Sequence, residues 1–156
     1  MTFTIYSPSF SHMGSIPRQF TGEGRDISPH IVWSNQPAGT ACYALIVDDP
    51  DAPDPQAPRM TWVHWILFNI PSSVHELKED AHKDQLPKGT IEGINDWQKT
   101  GYKGPLPPVG RHRYFFKLYA LDQTITNLEN PTKKELKKAI EGHILARAEL
   151  IGTYSR

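Results

Sequence analysis

Residues 41–53 read ACYALIVDDPDAP, seven apolar residues in succession followed by an acidic end broken by prolines. Apolar side chains at consecutive positions occupy both faces of an extended strand. Ala41–Val47 therefore predicts a central strand covered on both sides. The run closes at Asp48-Asp49-Pro50, and Pro50, Pro53, Pro55 and Pro58 deny regular structure as far as Arg59.

Two further strands are predicted around it. Thr61–Ile70, TWVHWILFNI, places Trp62, His64, Ile66 and Phe68 on one face and Val63, Trp65 and Leu67 on the other. Arg113–Leu121 alternates in the same way, with His112, Tyr114, Phe116 and Leu118 opposed to Arg113, Phe115, Lys117 and Tyr119. Phe3, Ile5 and Tyr6 open a shorter strand, and Ile31-Val32-Trp33 follows Ser28-Pro29. Residues 72–88 are weakly patterned, and Ile91 to Val109 reads as a loop rich in glycine and proline. The period changes after Pro131. Thr132 with Glu135 forms a capping box, and Leu136, Ala139, Ile140, His143, Ile144, Leu150 and Ile151 recur at helical spacing, with Gly142 as a divider between two helices. The expectation is one mainly β (α+β) domain over residues 1–156 with a helical C-terminus.

Composition agrees with that class. Of 156 residues, 38% are hydrophobic, and 14 prolines and 11 glycines suit short strands joined by structured loops. Seventeen basic and seventeen acidic residues cancel, which argues against a nucleic-acid partner. The single cysteine, Cys42, forms no internal disulfide and reads as a small buried hydrophobe. Neither a signal-peptide pattern nor a membrane-length apolar run is present, so a cytoplasmic location without stable membrane insertion is expected.

Three places combine reactive side chains with the end of a strand: Asp49 to Pro53, His64 beside Trp62, and Gly104 to Pro108 with His112 and Tyr114. Each also has an ordinary structural reading. Asp49 and Asp51 next to prolines suit turns, His64 and Tyr114 suit an aromatic core, and Gly104–Pro108 suits a rigid connection.

Together the motifs DPDAP at 49–53, WVH at 62–64, GYKGPLPP at 101–108 and GRHRYFF at 110–116 resemble the phosphatidylethanolamine-binding protein family. The likeness is to its short bacterial and archaeal branch, described as Raf kinase inhibitor-like. It covers essentially the whole chain, including Asn95-Asp96 and the terminal EGHILARAELIGTY. The resemblance implies an antiparallel β-sandwich with Greek-key connections and C-terminal helices. It implies a non-enzymatic binding protein with a small anion pocket for phosphate or phosphorylethanolamine-type groups. By motif position the pocket is lined by Asp49, Asp51, Trp62, His64, Gly104, Pro105, His112 and Tyr114, without cofactor or metal. It also implies modulation of a protein partner, a kinase or protease, and self-association into homodimers. Two departures stand out. Leu106 occupies a position where long members carry proline, and their C-terminal tyrosine at the pocket mouth has no assigned counterpart here, Tyr154 included.

Within such a pocket Tyr114 offers an O–H, and protonated His64 and His112 become double donors. Asp49 and Asp51 would repel a dianion, so they are expected to hold the imidazoles from behind, leaving one ring N–H free for the ligand. Two other uses of the same groups stay open: hydrolysis of a small phosphoester by the Asp/His/Tyr cluster, and metal binding by His64, His112 and Asp49. Lys133, Lys134, Lys137 and Lys138 suit a membrane surface or, more simply, a solvated helix face.

Overall fold

The apolar run becomes the middle of a five-stranded antiparallel sheet. The computed structural model describes all residues, Met1–Arg156. Its elements are β1 (Thr4–Tyr6), β2 (Ile31–Ser34), β3 (Cys42–Ala52), β4 (Met60–Pro71), β5 (Glu76–Leu77), β6 (Ile91–Glu92), β7 (His112–Leu121), α1 (Lys133–Ile140) and β8 (Ile144–Tyr154). The large sheet has the order β6-β4-β3-β7-β8, and a small sheet has the order β1-β2-β5. From β4 the chain crosses to the small sheet at β5 and returns to lay β7 beside β3. That is the kind of long crossing a Greek-key path requires.

As expected, β3 is covered on both faces. Tyr43, Leu45 and Val47 point into a larger core shared with the small sheet, where Ile5, Ile31 and Trp33 meet them. Cys42, Ala44 and Ile46 point the other way, into a smaller core closed by Leu136 and Ile140 of α1. Full burial of each of those helix residues stabilises the layer by about 2 kcal/mol. Thr132 Oγ1 accepts from Glu135 N and the Glu135 carboxylate accepts from Thr132 N, which completes the predicted capping box. No helix is long and apolar enough to cross a membrane.

Three expectations are corrected. First, the C-terminal segment holds one helix, not two. Gly142, at φ +82°, ends α1, and residues 144–154 form β8, paired with β7 from Leu121↔Ile144 to His112↔Tyr154. Ala, Leu, Arg and Glu favour helix in isolation, but the open edge of β7 offers a full ladder, and tertiary pairing overrides the local preference. Second, β3 does not stop at Val47 but runs through the acidic motif to Ala52. Pro50 is accommodated because the β3–β4 pairing is irregular between Asp49↔Trp62 and Ala52↔Met60, where its missing N–H costs no ladder bond.

Third, β4 does not alternate strictly. Its pairing passes from Val47↔Trp65 to Asp48↔Val63, so one residue of β4, His64, is additional. Val63 consequently joins Ile66 and Phe68 in the smaller core, while Trp65 and Leu67 lie in the larger one. The same irregularity turns Trp62 and His64 to the side of β7's Tyr114.

Candidate functional site

Asp49, Trp62, His64, His112 and Tyr114 converge at the end of the larger core. They line a cavity of about 310 Å³ together with Ala52, Pro53, Met60, Trp97, Leu106, Pro107 and Pro108. β3, β4 and β7 provide the five polar and aromatic groups, and the loop from 95 to 109 folds over them. The Ala52–Pro53 peptide bond is cis.

Asp49 is buried and fully engaged. Its Oδ1 accepts from Asp51 N at 2.8 Å, and its Oδ2 lies 2.5 Å from His112 Nδ1. The other ring nitrogen, Nε2, faces the carbonyl oxygens of Val109 at 2.8 Å and Pro53 at 3.0 Å. Carbonyl oxygens only accept, so Nε2 carries a hydrogen. The Nδ1···Oδ2 contact then holds a second proton that imidazole and carboxyl share, and the pair is neutral as a whole. Burial pushes the Asp49 carboxyl up, against the lowering bond from His112. His112 therefore has no free N–H to present. The expectation of one ring nitrogen aimed at a ligand is corrected for this residue: the ring supplies wall, and its hydrogen bonds tie Asp49 to the backbone.

His64 is the opposite case. Nδ1 donates to Lys103 O at 2.5 Å, and Nε2 makes no hydrogen bond within the protein. The ring is boxed edge-on by Trp97 at 5.0 Å and Tyr114 at 5.2 Å between centroids. Desolvation pushes its pKa down to about 4, so the imidazole is neutral at physiological pH and Nε2 is an acceptor. Tyr114 also lines the cavity, and its hydroxyl takes no part in the hydrogen bonds of Asp49, His64 or His112. Burial, then the neighbouring Asp49 carboxylate, raises its pKa far above the usual phenol value, so it remains a donor.

Three of the expected residues do not line the cavity. Asp51 turns to Arg113 and accepts from its backbone N and Nε at 2.9 Å and its Nη2 at 2.8 Å, which holds the carboxyl below its ordinary value. Gly104 is packed against the backbone of Phe20 and Thr21. A Cβ there would stand 2.3 Å from Phe20 O, and its N–H donates to Asp26 Oδ1 at 2.6 Å rather than to the cavity. The Pro105 carbonyl accepts from Gly22 N at 2.8 Å. These residues shape the loop and leave the ligand surface to their neighbours.

Trp97 is the main residue that sequence reasoning missed. Asn95 Oδ1 accepts from Trp97 N, and Asp96 Oδ2 accepts from Val63 N at 2.7 Å. These bonds clamp the loop onto β4 and set the indole edge-on against Trp62 at 5.6 Å. The Asn95-Asp96 pair was the available signal, since it immediately precedes Trp97. Tyr154 reaches Glu23 Oε1 at 2.5 Å and takes no part in the cavity lining. No group of three His, Cys, Asp or Glu side chains is placed to hold a metal ion.

Chemically the cavity presents Tyr114 O–H as a donor and His64 Nε2 as an acceptor, between walls that include the indoles of Trp62 and Trp97. No lysine or arginine lines it.

Comparison with known proteins follows the same lines. The sequence model described as phosphatidylethanolamine-binding protein matches residues 6–155. A UPF0098 protein of Methanothermobacter thermautotrophicus is 45% identical over 150 residues, covering 95% of both chains. A crystal structure described as a homologue of that binding protein from Chlamydia trachomatis superposes with a TM-score of 0.90 at 37% identity, covering 99% of this chain and 98% of the other. The Escherichia coli protein YbcL superposes with a TM-score of 0.89 at 30% identity, over 100% of this chain and 99% of the other.

Proposed function

The chain belongs to the phosphatidylethanolamine-binding protein family, and on that premise we propose that it is a non-enzymatic binding protein whose cavity takes a small phosphate-type group together with one proton. The observation that carries this reading is the pair of polar atoms, Tyr114 Oη and His64 Nε2, among the aromatic and apolar walls of the cavity.

The proton follows from charge. A dianion in the cavity would find no lysine or arginine, a neutral His64 and a neutral Asp49–His112 pair, and its desolvation would go uncompensated. A monoanion suits both atoms: its P–OH donates to His64 Nε2, and a P–O⁻ accepts from Tyr114. An ethanolamine ammonium on the same ligand could lie against the indole faces of Trp62 and Trp97. Phosphate monoesters gain their second proton near pH 6, so the competent form grows as pH falls. The pH dependence therefore originates in the ligand's own proton, while His64 stays neutral over this range.

The same geometry supports binding over hydrolysis. His112 is tied at both ring nitrogens, and His64 is too weak a base to draw a proton from water near neutrality. Met60 and Leu106 line the cavity yet stay exposed at its rim, so a protein partner seated there, a kinase or protease, would sense whether it is filled.

The test is a heteronuclear NMR titration with phosphate and O-phosphorylethanolamine at about pH 6 and about pH 7.5. Saturable shifts at His64, Trp97 and Tyr114, roughly tenfold tighter at the lower pH, are expected. Silence at those residues would overturn the pocket assignment, and release of inorganic phosphate would overturn its non-enzymatic character.

A further inference from the structure

The opposite face of the large sheet carries a second concentration of charge. Lys117 and Tyr119 of β7 stand across from Glu149 and Arg147 of β8, and α1 lays Lys133 and Lys137 over them, one turn apart. Lys117, Tyr119, Lys137, Arg147, Ala148 and Glu149 border a recess of about 360 Å³. It lies on the far side of the sheet from the Tyr114 cavity and shares no residue with it.

The cations here are under-compensated. Asp48, fully buried beneath them, accepts from Lys133 Nζ at 2.7 Å and Lys117 Nζ at 3.2 Å through the same oxygen, Oδ2. Its other oxygen has no partner. Glu149, Lys137 and Arg147 form no ion pair, so four cations face two carboxylates. Arg147 lies over the Tyr119 ring, 5.8 Å from its centroid, which orients the planar guanidinium beside the recess. Desolvation, then the charges of Lys133, Lys117 and Arg147, lowers the proton affinity of the Lys137 amine. The chain has no net charge, so this excess is local.

A set of cations drawn from two strands and a helix, outnumbering the two carboxylates among them, is built differently from a solvated helix face. We propose that this recess is a second anion site, taking a group with two or more closely spaced negative charges, such as a phosphate dianion or a pyrophosphate. Arg147 offers the two-pronged hydrogen bond that a phosphate accepts, and Lys117 and Lys137 supply point charges on either side.

Pyrophosphate is the probe, followed by NMR on the full chain. Saturable shifts at Lys117, Tyr119, Lys137 and Arg147 are expected, with acetate at least roughly tenfold weaker. The exposed double substitution Lys137→Gln with Arg147→Gln should weaken pyrophosphate by roughly a hundredfold, tenfold for each cation. It should leave the phosphorylethanolamine response of His64 and Tyr114 in place. Shifts that do not saturate, that survive the double substitution, or that acetate reproduces equally would overturn the site. Vesicles containing phosphatidic acid separate two sources of the same chemistry. Line broadening at these residues that pyrophosphate reverses identifies a lipid phosphate, and pyrophosphate binding without a vesicle response identifies a soluble one.

Discussion

Asp48 and Asp49 are adjacent on β3, both buried, and they face opposite sides of one sheet. Asp48 is neutralised by two lysine ammoniums on flexible stems, and one of its oxygens is left unpaired. Asp49 is held by a backbone N–H and an imidazole that is itself fixed by two carbonyls. One carboxylate is therefore balanced by charge and the other by a rigid, net-neutral hydrogen-bond network. The difference sets what each face can bind. The Asp49 side has no free cation and, on the reading proposed above, takes a ligand that brings a proton, whereas the Asp48 side gathers more cations than its carboxylates can use.

The largest effect expected from breaking this contrast lies on the Asp48 side. Replacing both Lys117 and Lys133 by methionine strands a fully buried carboxylate and should cost about 3–5 kcal/mol in urea unfolding. A loss under about 1 kcal/mol would mean that Asp48 does not depend on the two ammoniums.

Next is acid sensitivity on the cavity side. His64 has a pKa near 4 when folded and an ordinary value of 6.5. Between those values the unfolded chain binds the proton more strongly, so stability falls as pH drops from 6.5 towards 4. The loss should approach about 3 kcal/mol and should be absent in His64→Gln. Asp51, held low by Arg113, loses its contribution only as pH falls below its ordinary 3.8, outside that window.

The two aspartates themselves give a smaller, paired test. In Asp49→Asn the amide oxygen still accepts from Asp51 N and the amide NH₂ donates to His112 Nδ1, so the cost should stay near 1 kcal/mol. In Asp48→Asn the amide oxygen can keep both ammoniums, but they lose the carboxylate charge and the NH₂ at the unpartnered Oδ1 position finds no acceptor, so the cost should be about 2–3 kcal/mol. Reversal of that order in urea unfolding would break the comparison. The smallest stability change is predicted for Tyr114→Phe. Its hydroxyl takes no part in the hydrogen bonds of Asp49, His64 or His112, so unfolding should move by less than about 0.5 kcal/mol while phosphorylethanolamine binding weakens by roughly tenfold.

Much of this architecture was legible in the sequence. Consecutive apolar residues at 41–47 placed β3 between two layers, alternation placed β7, and Thr132 with Glu135 placed the start of α1. Of the residues that the motifs named, Asp49, Trp62, His64, His112 and Tyr114 come together at one cavity. β8 was misread because helix-forming residues fill a strand whose partner is distant in sequence and leaves no local trace. The irregularity at His64 was equally invisible, since an extra residue is defined only against the opposing strand. Asp51 and Gly104 were recognised as part of the motif but not for what they do there, because neither the Arg113 fork nor the close Phe20–Thr21 backbone can be read from spacing.

The central claim is that His64 is neutral and offers Nε2 as an acceptor inside the cavity. Long-range ¹⁵N NMR of the imidazole measures this directly. The prediction is a hydrogen on Nδ1 and a bare Nε2 from neutral pH down to about pH 5, with Nε2 shifting when phosphorylethanolamine is added at about pH 6. A ring that titrates near its ordinary 6.5, or that carries its hydrogen on Nε2, would contradict the account.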